Sequence, residues 1–143
     1  MKKFLFIFLI YCFSLTIISC GTKNNTSDGT STESPTYSDN GTTFTVTVNS
    51  SKYYIDGILT KTLILKKGYT YYFDSTDSTT NNHPLFIGTT SSGGSYTYEY
   101  TSGVTNSRTT TDNLTFIVPS DSPSTLYYNC GNHVSMGGSI TIM

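Results

Sequence analysis

The residues of this chain that can do chemistry are concentrated near its carboxyl end. Cys130, His133 and Met136 are spaced Cys-x-x-His-x-x-Met, with glycines on both sides of the group. Two intervening residues allow a tight turn to bring successive side chains to one centre, and glycine permits the backbone angles that such a turn needs. A thiolate, an imidazole and a thioether at one point indicate a site for a transition metal.

His83 is the candidate for a second imidazole. It precedes the apolar residues 84–87, a predicted strand that can lie beside the ligand loop. The chain contains no histidines other than His83 and His133. Two imidazoles and a thiolate in one plane, with a weak thioether above it, form a copper electron-transfer site. Zinc accepts the same thiolate and imidazoles, so the ligand types alone leave both metals open.

Cys130 also has simpler interpretations. A nucleophilic pair with His133 or His83 needs an orienting Asp or Asn, and no motif supplies one. A buried cysteine is commonly only a small apolar side chain. The joint presence of four candidate ligands of three types at suitable spacing favours a metal-binding protein, and we expect it not to be an enzyme.

Residues 1–19 are expected to be a lipoprotein signal peptide. Two lysines precede an apolar run that is too short for a membrane span, and the run ends in Ile-Ile-Ser-Cys at residues 17–20. This ending resembles the bacterial lipobox, which implies cleavage before Cys20 and lipid on its thiol and new amino group. An ordinary signal peptide or a short membrane anchor is the alternative. We expect a lipid-anchored protein of the bacterial cell envelope, in the periplasm or on the outer surface.

Cleavage would leave a weakly acidic chain with one free thiol. Six basic residues would remain against nine acidic ones. This charge balance does not favour the binding of nucleic acid. Cys12 departs with the signal peptide and Cys20 carries lipid, so Cys130 cannot form an internal disulfide. An exported protein with one unpaired cysteine needs an intermolecular bridge or a ligand role.

The remainder is expected to be a tether followed by one all-β domain. Residues 20–41 comprise Cys20 and a polar stretch without aliphatic residues, which cannot offset its ordering entropy. Residues 42–143 show no apolar residues at helical spacing and indicate a sandwich or barrel. The chain has twelve tyrosines and eight phenylalanines. Ten of these tyrosines and four of these phenylalanines lie in residues 42–143 and supply the bulk of a core without tryptophan. The predicted strands cover residues 43–48, 62–65, 69–73, 84–88, 95–100, 113–118, 125–130 and 139–143.

The order of strand, histidine, further strands, Cys-x-x-His-x-x-Met and final strand resembles the cupredoxin, or blue-copper, family. The short ligand loop is most similar to that of its amicyanin and plastocyanin-like members, and residues 67–73 are similar to the strand before the first histidine ligand. The resemblance covers residues 42–143. It implies a cupredoxin-like Greek-key β-sandwich with one type 1 copper ion bound by His83, Cys130, His133 and Met136. It also implies that His133 is the partly exposed ligand through which electrons pass.

Two features depart from that family. In many members an asparagine follows the first histidine and ties the two ligand-bearing loops together. Here Pro84 follows and Asn82 precedes, so Asn82 or Asn81 is the candidate for this role. The Ser/Thr/Gly-rich residues 89–111 match no redox-partner surface of the family.

Two functions of different classes therefore remain. The first is a monomeric one-electron carrier with an unidentified redox partner, held to the membrane by its N-terminal lipid. The second is a surface binding or structural module in which copper is sequestered or absent. The complete set of two histidines, one cysteine and one methionine favours the carrier.

Overall fold

A computed structural model describes residues 36–143. The predicted signal peptide, Cys20 and most of the predicted tether lie outside the described residues. Within the described part, no helix is long and apolar enough to cross a membrane. Its one helical element is a 3-10 turn at Ser78–Thr80. The remaining regular structure is β-strand.

Ten strands follow one another along the described chain. They are β1 (Thr43–Asn49), β2 (Lys52–Ile55), β3 (Ile58–Leu59), β4 (Leu63–Leu65), β5 (Thr70–Asp74), β6 (Leu85–Gly88), β7 (Val104–Thr105), β8 (Asn113–Ile117), β9 (Thr125–Cys130) and β10 (Gly138–Ile142).

The strands form two sheets. One has the order β3-β2-β1-β5-β8-β7 and the other the order β4-β10-β9-β6. Strands β1 and β5 are parallel, as are β4 and β10, and the other neighbours are antiparallel. The chain changes sheet from β3 to β4, from β4 to β5, from β5 to β6, from β6 to β7 and from β8 to β9. The predicted all-β sandwich is confirmed.

Period-two alternation places large side chains between the sheets. In β5, Tyr71 and Phe73 are buried, while the residues between and beside them are half-buried. An aromatic side chain buries 150–250 Å², so a few of them fill the core of a small domain. The predicted role of tyrosine and phenylalanine in the core is confirmed. The fully buried aromatic residues are Tyr53, Tyr71, Tyr128, Phe44, Phe73, Phe86 and Phe116.

The prediction of a strand at residues 95–100 is wrong. This segment forms turns, and only Glu99 pairs with Gly88 in an isolated bridge. The Glu99 N–H bonds back to the Tyr96 carbonyl at 3.1 Å, which closes a turn within the segment. Its alternating tyrosines are therefore not sheet positions. Strands β3 and β7, which were not predicted, are two residues each, whereas the tyrosines at 53 and 54 occupy the alternating sheet positions expected of them, in β2.

The first described residues contact the end of the sandwich opposite the start of β6. The Ser38 N–H donates to the Ile64 carbonyl at 2.9 Å, and Lys66 donates to the Tyr37 hydroxyl at 3.0 Å. Strand β4 runs parallel to β10 and meets its carboxyl half, with Leu65 opposite Ile142. The boundary between tether and domain at residues 41 and 42 stays a prediction.

Candidate metal centre

Two strand ends bring three of the predicted ligands together. Leu85, the first residue of β6, pairs with Cys130, the last residue of β9. His83 lies two residues before β6, and His133 lies three residues after Cys130. The loops that carry the two histidines therefore meet at the same edge of the four-stranded sheet.

The donor atoms of these residues converge. The two Nδ1 atoms of His83 and His133 are 3.1 Å apart, and the Cys130 Sγ is 3.8 Å and 3.5 Å from them, respectively. One ligand atom from each residue lies within 4.8 Å of the others. Among the described residues, no other group of His, Cys, Asp and Glu meets this criterion. This cluster can hold a metal ion.

The four predicted ligands differ in exposure. Cys130 is fully buried, His83 is half-buried and His133 is exposed. Met136 is also buried and lies at the end of the same loop, before β10. The exposure of His133 agrees with the resemblance to the blue-copper family. The role of each residue as a ligand stays a prediction.

The electrostatic surroundings of His83 favour its metal-binding form. Burial lowers the pKa of His83, and the neighbouring His133 lowers it further because a second positive charge would repel the first. At neutral pH the imidazole is therefore neutral and keeps a free lone pair. A metal ligand needs this deprotonated form.

The loops carrying His83 and Cys130 are hydrogen-bonded to each other. The Gly131 N–H donates to the Pro84 carbonyl at 2.9 Å, and the Asn132 side-chain amide donates to the Asn82 carbonyl at 3.0 Å. The predicted Asn82 therefore helps to join the two loops, but only through its backbone carbonyl. The side-chain amide that makes the hydrogen bond belongs to Asn132, in the other loop. Proline lacks an N–H but keeps its carbonyl, so Pro84 accepts one of the two bonds.

A second segment, residues 90–94, runs along the other side of the ligand loop. We call it the glycine strap. The Gly94 N–H donates to the Cys130 carbonyl at 2.9 Å, and the Ser135 N–H donates to the Ser92 carbonyl at 3.0 Å. Gly93 pairs with Val134 in an isolated antiparallel bridge. The strap therefore holds the loop at both its cysteine end and its histidine end.

Close backbone approach explains the glycine at position 93. Its φ is +61°, and a Cβ there would lie 2.8 Å from the His133 carbonyl oxygen and 3.0 Å from that of Cys130. Both atoms belong to the backbone of the ligand loop and cannot swing aside. Any larger residue would push the strap away from the loop.

We predict that Gly93→Ala destabilises the protein more than Gly68→Ala. Gly68 also has a positive φ, +80°, but a Cβ there would meet nothing within 4 Å. Both changes carry the backbone cost of about 1 kcal/mol, and only Gly93→Ala adds crowding of roughly 1–3 kcal/mol. Thermal unfolding of the metal-free variants measures the difference. Equal losses would show that the strap moves aside freely.

Tyr96 covers the outer side of the ligand loop. A Cβ on Gly131 would overlap the Tyr96 hydroxyl oxygen, so the phenol rests directly on that backbone. The Arg108 guanidinium lies 3.9 Å from the centre of the Tyr96 ring and is paired with Glu99. Such a cation over an aromatic face helps to hold the ring in place.

The contacts that residues 90–96 make with the ligand loop were not predicted from the sequence. The adjacent glycines of the strap were visible, and a glycine pair in a polar stretch can signal close approach of two backbones. Nothing in the sequence says which backbone is approached. Tyr96 gave a misleading signal, because its alternation with two other tyrosines is typical of a strand.

The comparisons with known proteins give a match in structure but none in sequence. No protein-family model matches the chain, and no curated protein gives a significant match. The similar solved structures include reduced rusticyanin, with 14% identity, 75% of this chain and 83% of that chain covered, and a TM-score of 0.46. Rusticyanin from Thiobacillus ferrooxidans has 15% identity, coverage of 73% and 79%, and a TM-score of 0.46. Similarity at this level does not assign a function, which must rest on the site itself.

Proposed function

We propose that this protein is an extracytoplasmic type 1 copper protein that transfers single electrons between redox partners. The observation that carries the proposal is the convergence of one thiol and two imidazoles within 4.8 Å at one end of the sandwich. We infer that Cys130, His83 and His133 hold the ion, with Met136 as a weak fourth ligand. We also propose that the protein is a carrier and not an enzyme.

The donor set fits copper better than a hard cation. A thiolate and a thioether are soft ligands that favour Cu(I), and imidazole suits both oxidation states. A copper ion bound there would supply one-electron redox chemistry. Zinc is the competing occupant, because it also accepts thiolate and imidazole.

The contribution of the chain itself is to hold the donors in place. Cys130 is the last residue of a strand, and the loop after it is bonded on one side to Asn82 and Pro84 and on the other to the glycine strap. A loop held on both sides can change little when the charge of a bound ion changes. His133 is the most exposed of the four proposed ligands, so it offers a short distance to a docked partner.

We predict that one equivalent of Cu(II) added to the purified protein gives an intense visible band and a reversible one-electron wave in voltammetry. The band requires a thiolate bound to the copper, and the reversible wave requires a site that holds both oxidation states. Zn(II) loading is the matched control and gives no visible band. A band without a reversible wave would favour copper sequestration, and absence of both would favour a surface module without a redox role.

We further propose that lipid on Cys20 anchors the protein to a bacterial membrane. The lipobox-like residues 17–20 support this, and they lie outside the described residues. The redox partner is proposed to be a protein that approaches from the extracytoplasmic side. The low content of basic residues supports no role for nucleic acid.

A further inference from the structure

Tyr53 makes direct hydrogen bonds to two segments that carry predicted ligands. Its hydroxyl donates to the His83 carbonyl oxygen at 2.6 Å. Its backbone N–H donates to the Met136 carbonyl oxygen at 2.9 Å. His83 precedes β6 and Met136 precedes β10, so these segments are far apart in the chain. Tyr53 therefore links the His83 segment to the Met136 segment.

The position of Tyr53 is itself well defined. The side chain is fully buried in β2, where Tyr53 pairs with Val48 of β1. Its carbonyl accepts from the Thr60 N–H at 2.9 Å, and its ring lies 6.3 Å, centre to centre, from that of Tyr128. All three of its polar groups are therefore engaged, and its ring is packed in the core.

The other hydrogen bonds of the ligand loops come from the loops themselves, from the strap and from the neighbouring Lys52 of β2, whose ammonium donates to the Ser135 carbonyl. The His83 N–H donates to the Thr80 carbonyl at 2.7 Å, and Pro84 accepts from Gly131. Strand β2 belongs to the six-stranded sheet, whereas β6, β9 and β10 belong to the four-stranded sheet. The bonds from Tyr53 thus connect the ligand-bearing loops to the opposite sheet.

We propose that Tyr53 is a positioning residue, which fixes the His83 segment relative to the Met136 end of the ligand loop before any metal binds. Its effect on copper rests on the proposed function, but its effect on His83 in the metal-free protein does not. Residues that orient a metal ligand through a hydrogen bond commonly change metal affinity by 10–100-fold when they are replaced.

Tyr53→Phe tests the proposal, and Tyr128→Phe is its matched control. Both tyrosines are fully buried, and the hydroxyl of each donates to one backbone carbonyl. Tyr53 donates to the carbonyl of His83, and Tyr128 donates to that of Lys61 at 2.9 Å. Each change removes one oxygen atom and one hydrogen bond. Tyr53→Phe keeps the backbone bond to Met136, so it releases only the His83 side of the link.

Three measurements separate positioning from a merely structural role. Thermal unfolding is expected to show a similar loss of stability in the two variants. In a chelator competition, the copper affinity of Tyr53→Phe is expected to be about tenfold lower than that of Tyr128→Phe. In the metal-free proteins, NMR is expected to show shifted or broadened His83 signals for Tyr53→Phe alone.

Equal copper affinity and unchanged His83 signals in the two variants would overturn the proposal and leave Tyr53 as a core residue. The NMR comparison needs no metal, so it decides the role of Tyr53 even if the wild-type protein takes up no copper. Lack of a copper band in the wild type would overturn the proposed function instead. The two failures are therefore distinguishable.

Discussion

Cys130→Ser is expected to abolish the intense visible band of the copper-loaded protein. The band arises from a thiolate bound to copper, and serine replaces this soft donor with a hard hydroxyl. Copper affinity should fall by more than the roughly 100-fold that loss of a hydrogen bond to a ligand can cost. Absorption spectroscopy and a chelator competition measure the two effects. A band of unchanged intensity in Cys130→Ser would rule out Cys130 as the ligand.

Met136→Leu is the matched control for this experiment. Met136 and Cys130 are both buried, with relative exposures of 1% and 0%. Leucine conserves the volume of methionine and should cost less than about 1.5 kcal/mol of stability. We expect this variant to keep both copper and colour and to have a higher reduction potential, because loss of the thioether disfavours Cu(II). Loss of colour in both variants would indicate general disruption of the loop.

Cys20→Ala is expected to abolish lipid labelling of the protein and to remove its lipid anchor. Two or more acyl chains on Cys20 would give stable membrane attachment, and alanine at this position cannot carry them. The variant should accumulate as an unprocessed precursor or as a soluble form. Fatty-acid labelling and membrane fractionation of cells producing the full chain measure the change.

Cys12→Ala is the control for the anchor experiment. Cys12 lies in the same apolar run, but it does not follow the residues that resemble the lipobox. This variant should keep its lipid label and remain in the membrane fraction. Unchanged labelling of Cys20→Ala would contradict the lipoprotein assignment.

The sequence was most informative where alternation and burial coincide. The predicted segment 125–130 is identical in extent to β9, and the segments at 43–48 and 113–118 differ from β1 and β8 by one residue at one end. In each, apolar residues at every second position are buried, except that Val48 of β1 is half-buried. The tyrosines of residues 95–100 alternate equally well, but Tyr96 packs on Gly131 and beneath Arg108 instead of in a sheet.

The candidate ligands could be predicted from the sequence, but the contacts that hold their loops in place could not. The spacing of Cys130, His133 and Met136 was visible because these residues are close in sequence. The contacts of Tyr53 and of the glycine strap connect segments about 30 to 80 residues apart, since Tyr53 reaches both His83 and Met136. No local pattern encodes such contacts, because they depend on how the two sheets are placed against each other.

The N-terminal contacts give the domain a polarity. Ser38 joins the sandwich beside Ile64, at the end remote from the loop that carries His133. A six-residue strand such as β9 spans about 20 Å, so roughly this distance separates the point of chain entry from the candidate centre. The N-terminal attachment therefore leaves the sandwich at the pole remote from the donor set. The surface around His133 is left clear of that attachment and stays open to a partner.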